Sequence, residues 1–180
     1  MIKIQLVDDE PYILNALQRA LHRYAWEVHA FKNINAAINA LSEHEYAVIL
    51  SDYQMPDLDG ITYLQLAKQK QPQALRMVLS AYGDRHSMMQ AINKAEVYRF
   101  LSKPWEDYEI EAALRSAVDL YELRMENQRL LAHIRTQQTA LTRQQQELQR
   151  LEAAYPGITQ VKRDAEGAVL IEVEEQTYHG

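Results

Sequence analysis

Five short apolar runs, each followed by an amphipathic stretch, constrain the fold of this chain more than any other feature. The runs cover residues 2–7, 27–31, 47–51, 76–79 and 98–101; most are β-branched or aromatic and end in polar or turn residues. Between them the apolar positions change period. Ile13, Leu14, Leu17 and Leu21 fall on one helix face, as do Ile61, Leu64 and Ala67, and again Met88, Ala91 and Ile92. Strand and helix alternate five times, which predicts an α/β fold with a parallel sheet covered on both faces. In such sheets ligands bind beyond the carboxyl ends of the strands, where strand order reverses.

No glycine or proline interrupts the sequence from Asp107 to Tyr155. That predicts one helix of roughly 48 residues, about 72 Å long. From Leu120 a heptad fits. Leu120, Asn127, Ile134, Leu141 and Leu148 take the a positions, and Leu123, Leu130, Gln137, Gln144 and Leu151 the d positions. A stripe this narrow has nothing on its own helix to bury it, so it reads as the seam of a coiled-coil homodimer. Asn127 at an a position favours two-stranded, in-register pairing, while Gln137 and Gln144 weaken the middle. The competing reading is a single solvated helix leaning on its own domain. Tyr155, Pro156 and Gly157 then stop the helix. Residues 159–163 and 169–173 are strand-like around a turn at 164–167, which predicts a short β-hairpin followed by a frayed tail. The expected organisation is a domain over 1–118, a coiled-coil helix over 119–154 continuous with that domain's last helix, and a hairpin with tail over 155–180.

Composition narrows the function classes. The absence of cysteine excludes disulfides and thiolate metal sites, and none of the six histidines sits at metal-ligand spacing with another. The apolar start is broken by acids too soon for a signal peptide, and no apolar run approaches the roughly 20 residues of a membrane span. A cytoplasmic protein without a membrane partner is expected. The net charge is −6, no basic face is evident, and the segment ahead of the seam is not basic, so direct nucleic-acid binding is not expected.

The chemistry gathers at strand ends. Asp8 and Asp9 follow the first strand and Asp52 follows the third, and these strands would be neighbours in the common 2-1-3-4-5 order. Three carboxylates on one edge repel one another unless a cation lies between them, and an all-oxygen donor set suits Mg²⁺. Asp52 can also act as a nucleophile and become an aspartyl phosphate. The transition state of phosphoryl transfer spreads charge over three oxygens and is stabilised by positioned donors. Ser80 at the end of strand four offers a hydroxyl, and Lys103 at the end of strand five offers an ammonium. Taken singly, Asp8 or Asp9 would serve as well as a helix cap, Lys103 as a solvated lysine and Phe100 as a core residue. Asp57 and Asp59 read as turn and cap residues.

Four stretches carry a family resemblance: Leu6-Val7-Asp8-Asp9-Glu10-Pro11, the run from Ser51-Asp52 to Asp59-Gly60, Leu79-Ser80-Ala81, and Leu101-Ser102-Lys103-Pro104. In this order and spacing the chain resembles the response-regulator receiver domains of bacterial two-component signalling (the CheY-like superfamily) over residues 1–118. The resemblance implies a doubly wound (βα)₅ sheet of order 2-1-3-4-5. It implies that Asp52 takes a phosphoryl group from a histidine kinase or phosphotransfer protein. Mg²⁺ would be held by Asp8, Asp9, Asp52 and the backbone carbonyl of Gln54. Lys103 and Ser80 would meet the phosphoryl oxygens, Ser80 and Phe100 would form the switch pair, and Lys103–Pro104 would be a cis peptide. Family members often carry Thr and Tyr where this chain has Ser80 and Phe100, and Phe100 has no hydroxyl.

The expected function is a phosphorylation-activated response regulator, with no separate catalytic output, that signals through an unknown downstream protein and a coiled-coil dimer. An aspartyl-nucleophile phosphatase or phosphotransferase is the first alternative, but Gln54 stands where such enzymes carry a second acid. A non-phosphorylated scaffold is the second, but it needs none of Asp8, Asp9, Asp52, Ser80 and Lys103.

Overall fold

A computed structural model describes residues 1–81 and 95–156. The helix expected around Met88, Ala91 and Ile92, and the hairpin expected after residue 157, lie outside the described residues. The elements are β1 (Lys3–Val7), α1 (Pro11–Leu21), β2 (Glu27–Phe31), α2 (Ile34–Glu43), β3 (Val48–Asp52), α3 (Gly60–Lys70), β4 (Leu75–Ala81), β5 (Arg99–Lys103) and α4 (Asp107–Ala154). The five strands form one parallel sheet in the order β2-β1-β3-β4-β5.

Side chains alternate across the sheet, and both faces are covered. Ile4, Leu6, Val48, Leu50, Met77 and Leu79 pack against Ile13, Leu14 and Leu17 of α1 and Ile110, Leu114 and Ala117 of α4. Val7, Ile49 and Val78 face the other way, onto Ala37 and Leu41 of α2 and Ile61 and Leu64 of α3. Burial on both faces is why β1, β3 and β4 read as continuous apolar runs rather than alternating ones. Each helix begins where its sequence says it should. Pro11 opens α1 at a position whose N–H has no helical partner anyway. Asn33 and Asp59 cap α2 and α3 by accepting from Ala36 N and Thr62 N at 3.0 Å each.

Three strands run further than their apolar pattern. Asp52 is the last residue of β3 and pairs with Leu79, while β4 continues through Ser80 to Ala81, opposite Ser102 and Lys103. Polar side chains at the carboxyl edge look like loop in the sequence, yet the backbone ladder continues beneath them.

The chain divides into two units, Met1–Gln128 and Arg129–Gly180. In the first, α4 buries Ile110, Ala113, Leu114, Ala117 and Val118, and Leu120 and Tyr121 are partly packed on the same cluster. Leu123 and Asn127 are exposed. In the second unit Leu130, Ile134, Leu141, Leu148 and Leu151 are 38–58% exposed. The hydroxyls of Thr136, Thr139 and Thr142 fold back onto carbonyls four residues earlier, at 2.9–3.0 Å.

Candidate functional site

The carboxyl edge of the sheet brings Asp8, Asp9 and Asp52 together. One carboxylate oxygen from each lies within 4.8 Å of the other two. Asp8 and Asp52 are buried and Asp9 is exposed. Asp8 is fixed at both ends of its residue: its N–H donates to Phe31 O at 3.1 Å, and its Oδ1 accepts from Glu10 N at 2.9 Å. The helix cap of α1 falls to Glu10, which makes no side-chain cap bond.

Lys103, the last residue of β5, reaches across this edge. Its Nζ lies 2.9 Å from Asp8 Oδ2, 2.8 Å from Asp52 Oδ1 and 3.6 Å from Glu10 Oε1. The ammonium therefore occupies the position where the sequence calls for a cation. Burial pushes the Asp8 and Asp52 carboxyls up from their ordinary value, against the opposing pull of Lys103. Burial pulls Lys103 down, but its bonds to Asp52 and Asp8 outweigh this and hold it above its ordinary value. The lysine stays charged, and the two acids take charge at a higher pH than free aspartates do.

A cavity of about 160 Å³ opens here, lined by Asp9, Glu10, Asp52, Tyr53, Gln54, Ser80, Ala81 and Lys103. Ser80 is buried, and its hydroxyl donates to Ala81 O at 3.2 Å. Gln54 is exposed on the cavity wall. Phe100 lies apart from the cavity. It pairs with Val78, on the sheet face that Ser80 shares two residues further on, and it is partly buried among the second core cluster. The Lys103–Pro104 bond is cis.

Two residues of the site escape a reading of the sequence by roles. Glu10 adds a third carboxylate around Lys103, signalled only by its place directly after the acidic pair. Gly60, the first residue of α3, is pressed on the loop that leaves Asp52. A Cβ at residue 60 would stand 1.9 Å from Asp52 O, while Gly60 N donates to Tyr53 O at 2.9 Å. Only glycine fits there.

Hard oxygen donors converging on a buried point suit a small divalent cation, and the ammonium already held between Asp8 and Asp52 shows that this point stabilises positive charge. Such an acidic cluster is typical of the receiver family's Mg²⁺ site. Residues 4–115 match the response regulator receiver domain family. The hydrogenase transcriptional regulatory protein HoxA of Bradyrhizobium diazoefficiens is 31% identical over 125 residues, covering 69% of this chain and 26% of HoxA. The chain thus spans about a quarter of that relative's length. Among solved structures, the signal receiver domain of an HD domain-containing protein from Pseudomonas fluorescens Pf-5 is 34% identical with a TM-score of 0.66, over 69% of this chain and 92% of that one. An adenylate cyclase from Rhodopirellula baltica is 31% identical with a TM-score of 0.67, over 72% of this chain and 96% of that one. With the family match covering more than half of the chain, and with the acids and the lysine gathered at the strand ends, this protein belongs to the response regulator receiver family of two-component signalling.

Proposed function

We propose that Asp52 is the phosphoacceptor of this receiver, taking its phosphoryl group from a histidine kinase or phosphotransfer protein. The observation that carries the reading is the 2.8 Å contact between Lys103 Nζ and Asp52 Oδ1, with one carboxylate oxygen each of Asp8, Asp9 and Asp52 within 4.8 Å of the others. A carboxylate oxygen of Asp52 attacks phosphorus, the bond to the donor nitrogen breaks, and the donor keeps that electron pair. Lys103 then pairs with a phosphoryl oxygen in place of a carboxylate oxygen, and the Ser80 hydroxyl turns from Ala81 O to a second one. Asp8, Asp9, Asp52 and the Gln54 carbonyl would hold Mg²⁺, which when bound neutralises charge on the phosphoryl oxygens.

The output is proposed to run through protein contacts. Phosphorylation alters the β5 surface that carries Phe100, and the exposed stripe of α4 from Leu123 to Leu151 pairs with a second copy. On this view the receiver ends at residue 118, residues 119–154 form the coil, and no catalytic group is required beyond Asp52 and its neighbours. The test is intact mass after incubation with acetyl phosphate and Mg²⁺. The wild-type chain is expected to gain one phosphoryl mass and Asp52→Asn none; equal labelling of both would place the acceptor elsewhere.

A further inference from the structure

Gln5 is a polar residue in the middle of β1 with no solvent exposure. Burying an amide without hydrogen-bond partners is strongly unfavourable. Here both ends are bonded. Gln5 Nε2 donates to Ala37 O in α2 at 3.0 Å, and Gln5 Oε1 accepts from the hydroxyl of Tyr63 in α3, itself fully buried. Burial pushes Tyr63 far above its ordinary value, so its hydroxyl remains a donor at any physiological pH. A leucine at position 5 would fill a core as well. What an apolar side chain cannot do is fix the distance between β1 and the two helices over it, because dispersion contacts tolerate sliding and hydrogen bonds do not.

The elements tied in this way are those that set the carboxylate pocket. β1 ends at Val7, directly before Asp8. α3 begins one turn before Tyr63, at Gly60, whose backbone lies so close to the Asp52 carbonyl that an added Cβ would stand 1.9 Å from its oxygen. A shift of α3 therefore moves Asp52, and a shift of β1 moves Asp8. We propose that Gln5 and Tyr63 are positioning residues for the metal pocket, holding the Asp8 and Asp52 carboxylates at the separation that a small octahedral cation requires. This inference rests on the pocket being a Mg²⁺ site, as argued above. Neither residue would touch the cation; Gln5 acts through the strand that leads into Asp8, and Tyr63 through the helix whose Gly60 abuts the Asp52 carbonyl.

Mg²⁺ accepts little deviation from octahedral ligands at 2.0–2.1 Å, whereas Ca²⁺ tolerates six to eight oxygens at 2.3–2.6 Å. Loosened carboxylates should thus be read as a loss of discrimination between the two ions. The experiment is calorimetric titration of wild type, Tyr63→Phe and the double variant Gln5→Met/Tyr63→Phe with MgCl₂ and separately with CaCl₂, well below each variant's melting temperature. Tyr63→Phe leaves Gln5 Oε1 without its donor. The double variant removes the Gln5 amide together with the Tyr63 hydroxyl, so no unpaired amide oxygen is left in the core while the tie stays absent. Outer residues that orient metal ligands typically contribute 10–100-fold in affinity; for residues one step further out, a loss of about fivefold for Mg²⁺ and less than twofold for Ca²⁺ is expected in both variants. An unchanged Mg²⁺ to Ca²⁺ ratio in the double variant, with or without a lower melting temperature, would overturn the proposal. If the wild-type chain bound no Mg²⁺ at all, the underlying reading of the site would fail instead, so the two failures are distinguishable.

Discussion

Lys103 holds two buried carboxylates apart from one another's charge, and that single contact set predicts opposite effects on stability and on metal binding. Lys103→Ala leaves Asp8 and Asp52 facing each other without a counter-ion. Breaking a buried pair in this way costs about 3 kcal/mol in the metal-free protein, measurable by urea melts in EDTA. The same variant should bind Mg²⁺ more tightly, because no ammonium competes for Asp8 Oδ2 and Asp52 Oδ1. Titration detects this, and weaker binding would contradict it. The raised carboxyls give a pH dependence. A raised acid contributes stability fully below its unfolded value of 3.8 and loses that contribution as pH rises through the folded value. The gain in melting temperature from millimolar Mg²⁺ should therefore grow from pH 4 to pH 7. Asp8, Asp9, Asp52, Ser80 and Lys103 could be picked out of the sequence because each is a reactive side chain within two residues of an apolar run's end. Gln5 could not, since a polar residue inside such a run carries no sign of which helix it will meet.

Among the elements, α3 is the one whose placement the pocket depends on most closely. Gly60→Ala would drive a methyl group into the Asp52 carbonyl. A destabilisation of about 2 kcal/mol is expected from the forced shift, together with a loss of Mg²⁺ affinity well beyond that of Tyr63→Phe. Equal affinity would show that the Asp52 loop is not set by α3. The five strands and the helices α1 and α3 could be read from periodicity, because a sheet buried on both faces selects β-branched and apolar runs of the right length. Their ends could not. β3, β4 and β5 continue into Asp52, Ala81 and Lys103 because backbone pairing persists under side chains selected for chemistry rather than for burial.

For the molecule as a whole, α4 poses the question of assembly. Its 48 residues were legible from the absence of glycine and proline, whereas the burial of Ile110, Leu114 and Ala117 in its first turns came from the structure. Leu130, Ile134 and Leu141 are exposed in the single chain, and the proposed seam would find its partner only in a second helix. Light scattering across a concentration series should give twice the chain mass for wild type and the single mass for Leu130→Lys/Ile134→Lys; a wild-type monomer at tens of micromolar would remove the dimer. Metal and phosphoryl group are proposed to share one pocket around Asp52. Fluorine NMR of the chain with beryllium fluoride, a phosphoryl mimic, tests it most directly. Bound beryllofluoride resonances should appear only when Mg²⁺ is present and should be absent in Asp52→Asn. Resonances that persist in Asp52→Asn, or that form equally well without Mg²⁺, would contradict it.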